Sequence, residues 1–381
     1  MAKVFIPKET RAGETRVAAS PESVKQLVRL KLEVEVEAGA GRAAHFTDEV
    51  LQAAGAKITA AGAWPRADVV LKVQPPTVPE CAKLAPDTIV ISLVVPSMNL
   101  EVVEALRDAK ASTLAMDLIP RITRAQAMDA LSSQATVAGY KAVLLGASQL
   151  GKLCPMLMTA AGTIPAARAV VFGAGVAGLQ AIATAKRLGC VVEATDVRAA
   201  VKEQVESLGA RFIEVPGAAD MQDARGYAKE QTPEFLAKQR EEVAKRVAVA
   251  DLVITTALIP GKTAPRLVNR AMVESMRPGA VIVDLAVESG GNCELSVAGS
   301  IVEHNGVKIV GIPNLPATVP THASELYAKN VLNLVKLFVD GEGKLQRDFK
   351  DEVLAGCLLT HQGEIKHAPT AESLAAKGAR A

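Results

Sequence analysis

Six consecutive residues, Gly173-Ala174-Gly175-Val176-Ala177-Gly178, have the spacing of a phosphate-cradling loop. They follow an apolar strand pattern at residues 169–172 and open a helical pattern at 179–188. A lone GxGxxG is a weak signal, but between a strand and a helix it is much stronger. Gly173 permits the tight turn, Gly175 lets the backbone approach a pyrophosphate, and Gly178 lets the helix lie close to the strand. The helix N-terminus offers unpaired N–H groups and a positive dipole end to the phosphates. A second strand pattern, 191–195, ends at Asp196, close to the ~20-residue spacing at which such folds place an acid for the ribose hydroxyls. A carboxylate there accepts from the 2′- and 3′-hydroxyls and repels a 2′-phosphate, which points to NAD(H) rather than NADP(H). Arg198 stands two residues on, and an arginine nearby can accommodate a phosphate. The plain alternative is a glycine-rich turn beside a solvated aspartate. Loop, helix and acid agree, and that agreement weighs against it.

Such a loop needs a parallel sheet behind it. Strand patterns at 3–7, 33–37, 68–73, 88–95 and 112–116 alternate with helical ones such as 21–30 and 100–109. A second series follows at 169–172, 191–195, 211–214, 252–256, 281–285 and 308–311. Alternation of this kind predicts parallel sheets with helical crossovers. The expected fold is therefore α/β, with two Rossmann-like doubly wound domains and a cleft between them. An Ala-rich helical pattern at 135–149 leaves the first series, and the segment 154–167 is broken by Pro155, Gly162 and Pro165. A proline-rich crossing at 313–320 precedes a helix over 323–338, expected to return to the first domain. The expected division is residues 1–132 with 322–381 as a discontinuous first domain, and 133–321 as the NAD(H)-binding domain. The tail, 371–381, reads as frayed.

Composition narrows the function classes. A chain of 381 residues exceeds one ordinary core. Its aromatic share of 3% leaves Ala, Val, Ile and Leu to build the interior. A net charge of +2, without basic and aromatic residues interleaved, offers nothing to nucleic acid. Five cysteines with no close pair in sequence give neither zinc spacing nor a disulfide framework, so a reduced, intracellular protein without a metal site is expected. The N-terminus enters a strand pattern directly, with no signal peptide. The longest uncharged run, 169–185, is short for a bilayer crossing and holds three glycines, so no direct membrane insertion is expected.

Other residues have two readings each. The polar stretch from Arg121 through Ile122, Thr123, Arg124, Gln126 and Asp129 to Ser132 could orient a ligand. It could equally be helix capping, with Thr123-x-x-Gln126 as the box and Arg124 solvated. Lys72 could meet a substrate or be a strand-end charge reaching for water, and the second is favoured. Asp284 could bind a ligand or cap a turn. Trp64, before Pro65, reads as packing. The long polar segment 216–235 reads as a lid.

Ile6-Pro7-Lys8-Glu9 with Glu14-Thr15-Arg16-Val17-Ala18-Ala19-Ser20-Pro21 resembles the opening signature of the alanine dehydrogenase/nicotinamide nucleotide transhydrogenase family. The stretch from Val171 through the glycine loop to Asp196 resembles its second signature, and Val283-Asp284-Leu285-Ala286 with Gly290-Gly291 a third. The likeness runs nearly end to end. It departs at Lys31 and Arg225, where the family usually has Gly, at Cys190, usually Ala, and at Gln231, usually Met. In the alanine dehydrogenase branch a lysine matching Lys72 binds substrate and a histidine lies on the strand at 88–95. This chain keeps the lysine, but the strand reads Ser92-Leu93-Val94-Val95-Pro96, without histidine. Acid–base work is therefore poorly supplied. The transhydrogenase branch needs none, because hydride passes directly between two nicotinamides.

The resemblance implies an NAD(H)-binding component whose Arg121, Gln126, Asp129 and Ser132 meet the nicotinamide half, with Ile122, Thr123 and Arg124 in the same loop. It implies nucleotide contacts at Gly173, Gly175, Val176, Gly178, Asp196, Val197, Arg198, Gln239 and Leu258. It implies a lid at Gly226 and Tyr227, the tyrosine closing over the nucleotide. NADP(H) would sit on a partner component, a membrane-spanning component would couple transfer to proton movement, and the chain would form a homodimer at the cytoplasmic face of the inner membrane. A chain ending at Ala381 without membrane helices would be a split subunit or an excised domain. A stand-alone alanine dehydrogenase-like enzyme and a non-catalytic NAD sensor are the competing readings.

Overall fold

The structure is a computed structural model and describes residues 1–214, 241–258 and 263–378. The chain divides into two compact units, Met1–Gln134 with Ala317–Ala381, and Ala135–Pro316. In the first unit β1 (Lys3–Ile6), β2 (Glu33–Glu37), β3 (Lys57–Thr59), β4 (Val69–Leu71), β5 (Ile89–Ser92) and β6 (Ser112–Ala115) run parallel in the order β3-β2-β1-β4-β5-β6. That is the doubly wound order, with its reversal between β1 and β4. Both faces are covered, so the strands are apolar throughout rather than alternating. Val4, Ile6, Val34, Val36, Leu71 and Ile91 fill one face, and Phe5, Val70 and Val90 the other. Trp64 meets Phe5 edge-on at 5.3 Å, the packing role expected of it.

The helix α1 (Pro21–Arg29) starts where Ser20 and Ser23 cap each other reciprocally, with Pro21 at a position that has no helical N–H to lose. It ends at Leu30, and the next residue, Lys31, is left-handed at φ 60°. Glycine fits such a place after a helix, which explains the residue the family usually carries there.

Helix α2 (Ala130–Gln149) takes the chain from the first unit into the second. A two-stranded hairpin follows, β7 (Leu157–Thr159) and β8 (Gly162–Ile164). The second sheet contains β9 (Arg168–Phe172), β10 (Val191–Thr195), β11 (Arg211–Phe212), β12 (Leu252–Thr255), β13 (Val281–Asp284), β14 (Ser300–His304) and β15 (Val307–Gly311). Their order is β11-β10-β9-β12-β13-β15-β14, again doubly wound. The chain then returns to the first unit through the helix Pro320–Val335 and adds β16 (Leu358–His361) and β17 (Glu364–Ile365) beside β6.

Neither sheet is wholly parallel: β14, β16 and β17 are antiparallel. The turn chemistry explains two of the three. Asn305-Gly306 and Gln362-Gly363 place two successive residues at positive φ, the conformation of a tight hairpin turn, and a tight turn can only join antiparallel strands. The tail also differs from expectation. Ala368–Gly378 is a helix, its Leu374 packing against the Val94 and Val103 cluster. The segment at residue 88 stops as a strand at Ser92, because Val95 turns left-handed (φ 48°) ahead of Pro96.

Candidate dinucleotide site

Strand β9 delivers the chain to Gly173, whose φ of 93° belongs to glycine. Gly175 caps α3 (Val176–Arg187) without a side chain, and its C=O accepts from Leu179 N–H at 2.8 Å. The three glycines differ in what surrounds them. A Cβ on Gly178 would sit 1.7 Å from the Gly173 carbonyl oxygen, and one on Gly173 2.5 Å from Thr256 Oγ1. A Cβ on Gly175 would meet nothing within 4 Å. So Gly173 and Gly178 serve the turn's own packing, and Gly175 faces open space at the helix N-terminus. Val176, 43% exposed, is the first helical residue there.

Asp196 lies at the end of β10 and reaches back to this loop. Its Oδ2 accepts from Ala174 N–H at 2.7 Å and from the Arg198 guanidinium at 2.8 Å. Its Oδ1 accepts from Arg198 Nε and from the Arg198 backbone N–H, both at 2.9 Å. Burial pushes the carboxyl's pKa up, but the guanidinium and the backbone donors together outweigh it and hold the group below the ordinary aspartate value. Four accepted bonds fill a carboxylate's capacity. Val197, between the two, is half-buried.

Several residues that carry no motif hold the loop in place. Thr256 donates to the carbonyls of Phe172 and Gly173, at 3.0 and 3.3 Å. Asn292 is wholly buried and grips Ala257 on both sides, accepting its N–H at 3.0 Å and donating to its C=O at 2.9 Å. Leu258, next along, is 47% exposed. Asp284 settles as an organiser of the 285–296 segment, its oxygens taken by Thr255, Ser296 and the backbone of Ala286 and Cys293. On α2, Gly139 has no room for a side chain: a Cβ would lie 2.1 Å from the Ala177 carbonyl oxygen, on the first turn of α3. Sequence reasoning missed Gly139 and Asn292. A glycine inside an Ala-rich helical run was the only available sign of the first.

The polar loop belongs to the first unit. Its 3-10 turn, Thr123–Met128, has no side-chain cap at Ile122, so the capping box expected at Thr123 and Gln126 does not form. Asp129 does the capping instead, accepting from Ser132 N–H at 2.9 Å and Ser132 Oγ at 2.5 Å at the start of α2. Arg124 is not solvated alone, since it makes a two-pronged pair with Asp351 at 2.8 and 2.9 Å. Arg121, Thr123 and Gln126 are exposed and Ile122 is half-buried. Asn330 and Asn333, on the returning helix, donate to the Ala127 carbonyl and hold the loop's far side. Gly226, Tyr227 and Gln239 lie outside the described residues.

Lys72 does not reach for water. It is 1% exposed, with its ammonium 3.2 Å from Glu9 Oε2 and 3.3 Å from Glu80 Oε1. Burial raises the Glu9 pKa against the pull of Lys72. The expected reach failed because both carboxylates come from elsewhere in the chain and meet the ammonium inside the fold.

Two doubly wound sheets, one carrying a GxGxxG turn answered by an acid on the next strand, define a Rossmann-like two-unit α/β protein. Family models narrow this: Alanine dehydrogenase/PNT, N-terminal domain, matches residues 5–138, and Alanine dehydrogenase/PNT, C-terminal domain, matches residues 142–368. The chain belongs to the alanine dehydrogenase/PNT family. It is 54% identical over 375 residues to an NAD(P) transhydrogenase alpha subunit of Rhodospirillum rubrum, covering 96% of this chain and 98% of that one. It is 30% identical over 373 residues to the alanine dehydrogenase of Mycobacterium tuberculosis, covering 95% and 94%. Among solved structures, the transhydrogenase from Sinorhizobium meliloti matches with a TM-score of 0.88 at 48% identity, over 95% of this chain and 99% of that one.

Proposed function

We propose that this chain is the NAD(H)-binding component of a proton-translocating NAD(P) transhydrogenase. The observation that carries the reading over a dehydrogenase is the neutralised lysine. Lys72 is enclosed by Glu9 and Glu80, which leaves no buried cation for a substrate carboxylate. The end of β5 likewise offers only Leu93, Val94, Val95 and Pro96, none of which can move a proton. Relatives named as transhydrogenase alpha subunits, more similar than the alanine dehydrogenase, support the same branch.

The residues present fit a dinucleotide. Open space at Gly175 leaves the backbone approachable at the N-terminus of a 12-residue helix, where phosphate charge is favoured. Gly173, Gly175, Val176 and Gly178 would hold the pyrophosphate, Asp196 and Val197 the adenosine ribose, and Leu258 the adenine side. For Asp196 to take a ribose diol, the Arg198 guanidinium must leave it, since all four acceptor positions are filled. Residues 133–321 are the NAD(H)-binding domain in this reading, and 1–132 with 322–381 the other. Arg121, Ile122, Thr123, Arg124, Gln126, Asp129 and Ser132 orient the nicotinamide half. Gly226, Tyr227 and Gln239 close over it.

Bound NADH supplies a hydride that passes, with its electron pair, to NADP(H) held on a partner component. No proton moves at the reacting carbon, so the chain's work is positioning and exclusion of water. A membrane-spanning component couples the transfer to proton movement. Among the described residues, no helix is long and apolar enough to cross a membrane, so this chain is proposed to dock at the cytoplasmic face.

A homodimer completes the assembly. The β7–β8 hairpin supports it, since all six of its strand residues are exposed, Met158 by 73% and Ile164 by 43%. A two-stranded hairpin is marginal alone in water, and Leu153 and Met156 beside it are exposed too.

The test is hydride transfer from NADPH to an NAD analogue, with this chain alone and mixed with an NADP(H)-binding transhydrogenase component. Activity in the mixture only is expected. Oxidation of alanine with NAD by the chain alone would replace this reading with the dehydrogenase one.

A further inference from the structure

Cys154 and Cys190 are remote in sequence and adjacent in the fold. The Cys154 carbonyl accepts from Ala167 N–H at 3.0 Å, and the Ala167 carbonyl accepts from Val191 N–H, next to Cys190, at 2.9 Å. Pro155 lies against the turn before Cys190, where a Cβ on Gly189 would meet Pro155 Cβ at 2.7 Å. Both cysteines pack in the apolar cluster that holds Ala167 and Ala185, and their thiols hydrogen-bond each other. Of the five thiols, Cys81, Cys190, Cys293 and Cys357 are buried, and only Cys154 is partly open to solvent.

We propose that Cys154 and Cys190 are a reversible redox pair, oxidised to a disulfide by hydroperoxides entering at Cys154. In the first step the Cys154 sulfur attacks the peroxide. An S–O bond forms, the O–O bond breaks, and the thiol proton leaves with the second oxygen as water or alcohol, giving a sulfenic acid. In the second step Cys190 sulfur attacks that sulfenic sulfur. The S–S bond forms, the S–O bond breaks, and the Cys190 proton leaves with the hydroxyl as water. Two thiols give two electrons, and one peroxide takes them. A small-molecule dithiol reverses the change by exchange.

The two thiols are suited to different halves of this sequence. Burial pushes the Cys190 thiol up to about 12, so it stays protonated and inert until its neighbour is oxidised. The bond would enclose the hairpin, β9, the glycine loop and α3, and would tether the start of β10, the strand that ends at Asp196.

The experiment exposes the full chain to hydrogen peroxide, alkylates it under denaturing conditions and maps its peptides by mass spectrometry. Expected is the loss of two alkylatable thiols and a peptide joining Cys154 to Cys190, both reversed by dithiothreitol. In Cys190→Ala, Cys154 should stop at a sulfenic acid that a 1,3-dione traps, and in Cys154→Ser the other thiols should stay alkylatable. The proposal is overturned if Cys154 goes to sulfinic acid while Cys190 stays alkylatable. It is equally overturned if peroxide leaves all five thiols intact.

Discussion

Single residues in this chain act mainly through charge and backbone angle. Lys31 holds φ 60° after α1, a conformation in which a side chain is strained, and its exposed pair with Glu342 is worth little in return. Lys31→Gly should therefore stabilise the first unit by about 0.5–1 kcal/mol, read as a raised midpoint in urea unfolding. An unchanged or lowered midpoint would show that the pair outweighs the angle. Glu14 is a different case. Burial would push its carboxyl up, but the Arg16 guanidinium at 2.7 and 2.8 Å, helped by Gln74, outweighs burial and holds the pKa at about 2 against 4.5. The folded value lies below the unfolded one, so the stabilisation is full above pH 4.5 and drains away as the pH falls toward 2. This group should cost about 3 kcal/mol over that window. Urea unfolding of wild type and Glu14→Gln between pH 5 and 2.5 measures it, and equal slopes would count against the assignment. At this scale the glycines and Asp196 were legible because their types and spacing are local. Lys72 was not, since Glu9 and Glu80 reach it only through the fold, and neither was Arg198, whose guanidinium folds back on the acid two residues away.

Among the elements, the glycine loop is held from outside itself. Helix α2 lies so close to the first turn of α3 that Gly139 has no space for a methyl group, with the Ala177 oxygen 2.1 Å from a built Cβ. Gly139→Ala should push α3 off its place. Overpacking of this kind costs about 1–3 kcal/mol, and NADH affinity should fall by roughly tenfold or more while far-UV dichroism is kept. Unchanged affinity would mean that α3 does not need this support. The sequence pattern marked every strand of the second sheet except the antiparallel β14, because buried parallel strands are continuous apolar runs. It passed over β3, β7, β8, β14, β16 and β17, which are short or sit at edges where period and burial are weak. The two hairpin turns, Asn305-Gly306 and Gln362-Gly363, were readable signals left unused.

For the whole molecule, the discontinuous first unit was legible from the proline-rich crossing, and the chain passes back into it between Pro316 and Ala317. The hairpin was not foreseen, and it bears on assembly. If β7 and β8 join two copies, a charge at Met158, 73% exposed, should break the contact without touching either core. Met158→Asp should sediment as a monomer where the wild type sediments as a dimer. Dimers of both would place the interface elsewhere.

The central claim is that the second unit binds NAD(H) and that Asp196 sets the preference. Calorimetric titration of the wild type and Asp196→Asn with NADH and with NADPH tests it directly. The account predicts saturable NADH binding, NADPH weaker by at least about tenfold, and a loss of roughly 10- to 100-fold for NADH in Asp196→Asn with a narrower gap between the two nucleotides. NADPH binding as tightly as NADH to the wild type, with both affinities unmoved by the substitution, would contradict it.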